Sequence, residues 1–134
     1  MADPKIVREW FSKADEDFSF AKLNLEEGNN FYAQICFHFQ QAAEKYLKSF
    51  IVAYDLEFEK MHNLINLLKI CTKKEPSLLP LMDRCELLNT VYIETRYPVH
   101  WPTDYTRDKA LQMQEAAENI AQTIKELLIR GGYL

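Results

Sequence analysis

Apolar residues recur in this chain at alternating steps of three and four, the spacing that places them on one face of an α-helix. The clearest example lies near the N-terminus, where the apolar positions are Val7, Phe11, Ala14, Phe18, Ala21 and Leu25. Comparable patterns follow in four further stretches. Because the 134 residues include only three glycines, the chain is unsuited to a loop-rich or all-β fold. The spacing therefore predicts packed amphipathic helices.

Residues that begin and end helices divide these patterns into four long helices and one short helix. Asp3 and Pro4 begin the first, because Asp caps a helix and Pro suits its first position. Gly28 ends it, since glycine accepts the left-handed backbone that closes a helix. The later helices are predicted over about 31–54, from 62 to a break at 73–76, over about 77–96, and from a cap at Asp104 or Thr106 to Arg130.

These elements predict an all-α fold: an antiparallel up-and-down four-helix bundle with an additional short helix, in one domain over residues 1–134. The net charge of −4 disfavours broad, non-specific binding to nucleic acid, which depends on many phosphate contacts. No apolar run is long enough to span a bilayer, and the N-terminus lacks a signal-peptide pattern, so no membrane partner is predicted. Cys36, Cys71 and Cys85 are scattered and odd in number, which predicts reduced, packed thiols in a cytoplasmic protein.

The second predicted helix is apolar over more than one side. One row contains Ile35, Phe39, Ala42, Tyr46, Ser49 and Ala53, and the adjacent flank contains Cys36, Ala43, Leu47, Phe50, Ile51 and Tyr54. An arc this wide exceeds what one small bundle is expected to cover. We therefore expect a homodimer.

A narrow polar stripe remains on the second helix, formed by Gln34, His38, Gln41, Lys45 and Lys48. Glu44 lies beside the stripe and can pair with Lys48 one turn further on. One interpretation is a groove wall that presents ammonium and amide groups to a phosphate or a base. The other is the water-facing side of a bundle helix, and the spacing alone favours this second interpretation.

A second group of functional side chains surrounds the end of the fourth predicted helix; its members are Tyr92, Arg96, Tyr97, His100, Trp101, Tyr105 and Arg107. Arg can hold a phosphate with two parallel hydrogen bonds, His moves protons near neutral pH, and aromatic faces stack on bases. These properties fit a nucleotide site, or a metal-independent RNA-cleaving site that uses Arg96 and His100. Alternatively, the aromatic rings fill the end of the bundle and Arg96 caps the last carbonyls of its helix.

Other polar residues are interpreted as structural. His62 begins the third helix and is expected to form a local hydrogen bond. Residues 13–17, with one Lys and three acidic side chains, are expected to form a solvated face. Neither a CxxC nor an HExxH pattern occurs, so no metal and no cofactor are predicted.

Four segments, in the same order along the chain, resemble the HEPN family, a helical domain found beside minimal nucleotidyltransferases. They are residues 14–17, 40–48, 62–64 and 96–98, of which the run Gln-Ala-Ala-Glu-Lys-x-Leu-Lys at 41–48 is the most specific. The resemblance implies an up-and-down bundle, commonly dimeric, that binds a nucleotide or a nucleotidyltransferase partner. It also implies that four residues occupy positions which the family retains, and these are the leading candidates for ligand-binding residues: Glu44, Lys45, Lys48 and Arg96.

Several branches of this family are RNases that act as toxins, and they typically carry an Arg and a His separated by four to six residues. Here three residues separate Arg96 from His100, and Pro98 is one of them. The leading prediction is therefore a non-catalytic module in which Arg96 and Lys48 contact phosphate and Tyr97 or Trp101 stacks on the base. The alternatives are an RNase toxin that uses Arg96 and His100 on RNA, and a purely structural assembly module.

Overall fold

The computed structural model describes residues 2–57, 62–96 and 105–134, and within 92–96 it describes the backbone alone. These residues form five α-helices and one 3₁₀ helix, with no strand among them. In chain order the elements are α1 (Pro4–Glu26), α2 (Tyr32–Ala53), α3 (Leu64–Lys74), the 3₁₀ helix (Pro76–Leu81), α4 (Met82–Arg96) and α5 (Arg107–Arg130). The predicted all-α class is confirmed.

The predicted ends of α1 and the predicted start of α5 agree with the observed caps. The Asp3 carboxylate accepts a hydrogen bond of 2.9 Å from the Lys5 amide, and Pro4 is the first helical residue. Gly28 has a φ of +78°, which provides the left-handed turn towards α2. At the start of α5 the Thr106 hydroxyl accepts a bond of 3.1 Å from the Lys109 amide. Thr106 is therefore the cap, whereas Asp104 lies outside the described residues.

The predicted fourth helix is wrong over its first turns. A 3₁₀ helix occupies Pro76–Leu81, and α4 begins only at Met82. The reason is Pro80, because the ring of a proline disfavours α-helical geometry at the preceding residue, here Leu79. The tighter 3₁₀ turn accommodates this restriction in a short segment.

α2 is the central helix of the bundle, and α1, α3, α4 and α5 all pack against it. Fourteen of its 22 residues are buried, including large side chains such as Phe39, Tyr46 and Phe50. The apolar arc is therefore covered within one chain. The premise that α2 needs a second copy to cover it is wrong, so a dimer requires separate support.

Side-chain contacts define how the helices run. Phe11 packs on Tyr46 with ring centres 4.9 Å apart, and Phe18 packs on Phe39 at 5.4 Å, so α1 and α2 are antiparallel. The Leu64 amide at the start of α3 donates to the Asn89 side chain of α4 at 3.0 Å. Beyond Asn89, α4 continues for two turns, about 10 Å, to Arg96.

The three thiols are buried, as predicted. In the described ranges we find no helix that is both long enough and apolar enough to cross a membrane.

Candidate functional site

The His and Lys residues of the polar stripe on α2 are divided between two ionic clusters. The first, which we name the α1 cluster, consists of Asp17, His38 and Lys45. Asp17 Oδ1 lies 3.2 Å from His38 Nδ1, while Asp17 Oδ2 accepts a hydrogen bond from the Lys45 ammonium group. Between 16% and 33% of each side chain is exposed. The carboxylate thus joins α1 to two positions on α2 that are about two turns apart.

A neighbouring hydrogen bond strengthens the same helix pair. The Tyr46 hydroxyl donates to Asp15 Oδ1 at 2.6 Å, although the Tyr46 side chain is otherwise buried. Burial, followed by the hydrogen bond and the charge of Asp15 and by the charge of Asp17, raises the pKa of Tyr46 far above its usual value. The hydroxyl is therefore a donor at every physiological pH.

These contacts correct two predictions. Asp17 is half-buried and ion-paired, so it does not belong to a solvated face, and the exposed Asp15 carboxylate accepts a hydrogen bond. Lys13 and Glu16 do form an exposed pair at 3.4 Å. On α2, the interpretation of the polar stripe as a water-facing side is wrong for His38 and Lys45, which contact Asp17 of α1, and for buried Lys48. It holds for the exposed Gln34.

The second cluster, which we name the α3 cluster, consists of Glu44, Lys48 and His62. Glu44 Oε1 lies 2.6 Å from His62 Nδ1 and 3.5 Å from Lys48 Nζ, so both groups are directed at the same oxygen atom. The exposed fraction is 4% for Glu44, 11% for Lys48 and 46% for His62. The predicted pair of Glu44 and Lys48 is confirmed. The prediction of a merely local role for His62 is wrong, because its partner lies 18 positions earlier in the chain.

The α3 cluster lies in a seam of the bundle. α1 and α3 both pack on α2, but in the described part of the chain they do not pack on one another. On the α1 side of the seam, the Trp10 ring centre is 6.0 Å from Lys48 Nζ. Lys and Glu are rarely buried, because each loses its hydration and is retained only when it is paired. Burial of both charges beside an exposed imidazole therefore marks this seam as the candidate site.

An amide pair precedes Glu44 by about one turn. Gln41 Nε2 donates to Gln40 Oε1 at 2.8 Å. Gln40 is fully buried, and its Nε2 has no hydrogen-bond partner among the residues that the structure describes. A buried, unpaired amide donor costs about 1–3 kcal/mol. Polar side chains on α2 therefore continue from Glu44 one turn back to Gln40, whose amide oxygen is paired with Gln41.

The other predicted site residues are distributed unevenly. Lys45 faces α1, so the structure separates it from Glu44 and Lys48. Arg96 is the last residue of α4, and its side chain is outside the description. Tyr97, His100 and Trp101 also lie outside the described residues.

The residues that the structure describes contain no cluster of side chains suited to binding a metal ion. Among them no three His, Cys, Asp or Glu side chains lie close enough together to hold an ion.

His62 is the member of the α3 cluster that spacing alone did not select. Its only sequence signal was its position at the start of the matching segment 62–64, directly before Asn63, whose side chain caps α3.

Comparisons with known proteins agree with this architecture. The family model described as HEPN domain matches residues 7–127. The chain is 27% identical over 137 residues to a candidate toxin of Methanocaldococcus jannaschii, covering 92% of this chain and 89% of that protein. The crystal structure of a Thermus thermophilus protein superposes with a TM-score of 0.78 at 30% identity, covering 90% of this chain and 96% of the other. An archaeal HEPN homologue superposes with a TM-score of 0.71 at 24% identity, with coverages of 91% and 97%, and this likeness concerns the fold.

Proposed function

Because this chain belongs to the HEPN domain family, we propose that it is a non-catalytic module that binds a nucleotide and works with a nucleotidyltransferase partner in the cytoplasm. The observation that supports this proposal is the α3 cluster, where Lys48 and His62 converge on one oxygen atom in a seam of the bundle. An ammonium group and an imidazole that converge in this way suit a phosphate oxygen, which accepts short hydrogen bonds and gains most from a charged donor such as Lys48.

The predicted phosphate and base contacts of Lys48, Arg96, Tyr97 and Trp101 have a place in this proposal. Lys48 provides a phosphate contact inside the seam, and Arg96 provides a second from the end of α4. Tyr97 or Trp101 stacks on the base, since every base has a face that an aromatic ring can cover. Lys45 has no ligand role here, because its ammonium group is bonded to Asp17.

Isothermal titration with AMP and ATP tests the nucleotide claim. We expect Lys48→Met to weaken binding at least about tenfold, because one charge-assisted hydrogen bond contributes about 1.5–3 kcal/mol. Lys45→Met is the matched control: it removes a paired Lys from the same helix but leaves the α3 cluster intact. Circular dichroism checks that both variants fold. Absence of heat at millimolar ligand for the wild-type protein would contradict the proposal.

The proposal includes self-association. Exposed apolar side chains lie near the end of the hairpin that α1 and α2 form, where Phe20, Leu23 and Phe31 are 51%, 54% and 62% exposed. Apolar side chains grouped on a surface are typical of protein contacts. Light scattering should give twice the chain mass of 15.8 kDa, and Leu23→Glu should give a single chain. A monomer mass for the wild-type protein would exclude the dimer.

A second candidate function is a metal-independent RNase toxin, and the similarity to the candidate toxin of Methanocaldococcus jannaschii favours it. In such an enzyme Arg96 would steady the charged phosphate, and His100 would transfer the proton of the 2′-hydroxyl or of the leaving group. Induced expression tests this function. Growth arrest with RNA cleavage that His100→Ala abolishes would favour the toxin, whereas a harmless wild-type protein with intact RNA would exclude it.

A further inference from the structure

We propose that Glu44 is an internal counter-anion of the nucleotide site, which holds Lys48 and His62 until the phosphate of a ligand takes its place. This inference rests on the function proposed above. It assigns to Glu44 a regulatory role in which the carboxylate competes with the ligand.

The first argument is geometric. His62 Nδ1 and Lys48 Nζ are directed at one atom, Glu44 Oε1, at 2.6 and 3.5 Å. A phosphate oxygen that bound both donors would need the position which this atom already occupies. The two anions therefore exclude one another, and a ligand phosphate can engage both donors only after the carboxylate has moved.

The second argument concerns charge. The Glu44 carboxylate is 4% exposed, so water screens its charge poorly. A phosphate placed beside it would be repelled at short range, and juxtaposed like charges strongly oppose association. The carboxylate also neutralises Lys48. The cationic field that attracts a phosphate therefore increases by a full charge when Glu44 is made neutral.

The third argument concerns access. His62 is 46% exposed, and it lies outside the first turn of α3, two residues before Leu64. Lys48, with 11% of its side chain exposed, lies deeper. A ligand therefore reaches the cluster from the His62 side and meets the bond between His62 and Glu44 first.

The α1 cluster shows a different arrangement of the same three kinds of side chain. Asp17 contacts His38 through Oδ1 and Lys45 through Oδ2, so each of the two side chains has its own carboxylate oxygen. That arrangement holds α1 and α2 together, but its two side chains do not converge on one oxygen atom. It provides a matched control, because Asp17→Asn neutralises a carboxylate that has a His and a Lys partner but no place in the proposed site.

Isothermal titration with AMP and with inorganic phosphate, at low salt, compares the wild-type protein with Glu44→Gln and Asp17→Asn. We expect Glu44→Gln to bind both anions about tenfold more tightly or better, since a close like charge has been removed. Asp17→Asn should bind as the wild type does. If folded Glu44→Gln binds equally or more weakly while the wild type binds, Glu44 merely positions the donors, and the inference is overturned. If neither protein binds, the proposed function itself fails.

A measurement on the wild-type protein avoids any folding defect of the variant. The ¹³C resonance of the Glu44 carboxyl group, assigned by comparison with Glu44→Gln or Glu44→Asp, is followed during titration with AMP. We expect it to shift with the same midpoint as the heat of binding, because the carboxylate loses both partners. A resonance that stays constant at saturating AMP overturns the exchange of anions.

Discussion

Tyr46 places a polar group at the edge of the core without leaving it unpaired. Its side chain is 1% exposed, and the ring packs on Phe11 with centres 4.9 Å apart. The hydroxyl donates to Oδ1 of the exposed Asp15 at 2.6 Å. Burial of the ring and the hydrogen bond therefore both fix the rotation of α2 relative to α1.

We expect Tyr46→Phe to lower the free energy of unfolding by about 1–2 kcal/mol, because it removes one hydrogen bond to a charged acceptor and leaves that acceptor exposed to water. Urea denaturation followed by circular dichroism measures the change. Tyr32→Phe is the control, since the half-buried Tyr32 donates no hydrogen bond within the described residues. An equal effect of both substitutions would show that the Asp15 bond contributes nothing.

The buried thiols of Cys71 and Cys85 make the fold sensitive to alkali. Burial raises the pKa of each thiol from 9.0 to about 12, with smaller contributions from the Cys85 thiol to the pKa of Cys71 and from Glu86 to that of Cys85. Above about pH 9 the unfolded chain therefore loses thiol protons that the folded chain keeps, and the free energy of unfolding falls as pH rises towards 12. Urea titrations at several alkaline pH values measure this slope. The double variant Cys71→Ala, Cys85→Ala should show a shallower slope, and an unchanged slope would contradict the assignment.

At the scale of helices, α3 begins where α4 provides a partner for it. The Asn63 side chain accepts from the Ile65 and Asn66 amides, and buried Asn89 accepts from the Leu64 amide at 3.0 Å. Two side chains, one local and one from another helix, thus pair three amides of the first turn. Because His62 directly precedes this turn, the same contacts position the α3 cluster.

We expect Asn89→Ala to lower the free energy of unfolding by about 1–3 kcal/mol, since it leaves the buried Leu64 amide without an acceptor. Hydrogen exchange should accelerate at Leu64 before it accelerates elsewhere in α3. The exposed Asn66 provides the control substitution, Asn66→Ala. Retained protection at Leu64 in Asn89→Ala would show that the interhelical bond is dispensable.

Helix caps and turns that depend only on residues close together in the chain could be predicted from the sequence. The Asp3 carboxylate and the Thr106 hydroxyl cap their own helices, and Gly28 supplies a positive φ at the predicted turn. The 3₁₀ helix was missed, because a proline in a first α-helical turn and one inside a 3₁₀ segment have the same local pattern. The contribution of Pro80 becomes clear only when the backbone is seen.

The candidate site was predictable only where its contacts lie within one helix. Glu44 and Lys48 are four residues apart, so their pairing follows from helix geometry alone. Lys45 is adjacent to Glu44, yet each step along a helix turns by about 100°, and this directs Lys45 towards α1. Neither the Asp17 partner of Lys45 nor the His62 partner of Glu44 could be inferred, because these contacts depend on how separate helices are oriented.

At the scale of the whole molecule, the C-terminus closes the bundle at the end opposite to the α1–α2 turn. Tyr133 is 3% exposed and packs edge-on against Tyr54 at 5.6 Å. Lys74, from the end of α3, lies 5.3 Å from the Tyr54 ring centre. A Cβ atom at Gly131 would approach the Tyr54 hydroxyl to 2.7 Å, so the chain passes α2 closely at this point. Three helix ends are thereby joined through one ring.

We expect Tyr133→Ala to lower the free energy of unfolding by about 3–5 kcal/mol, as for other large aromatic residues removed from a core. The adjacent Leu134→Ala should change it by less than about 0.5 kcal/mol, because Leu134 is 36% exposed. Urea denaturation measures both, and AMP titration of the folded variants separates stability from binding. Glu44 and Lys48 lie nine and five residues before the end of α2 at Ala53, and Tyr133 contacts neither, so affinity should be unchanged in Tyr133→Ala. A loss of affinity without a loss of stability would mean that the C-terminus and the α3 cluster are coupled through α2.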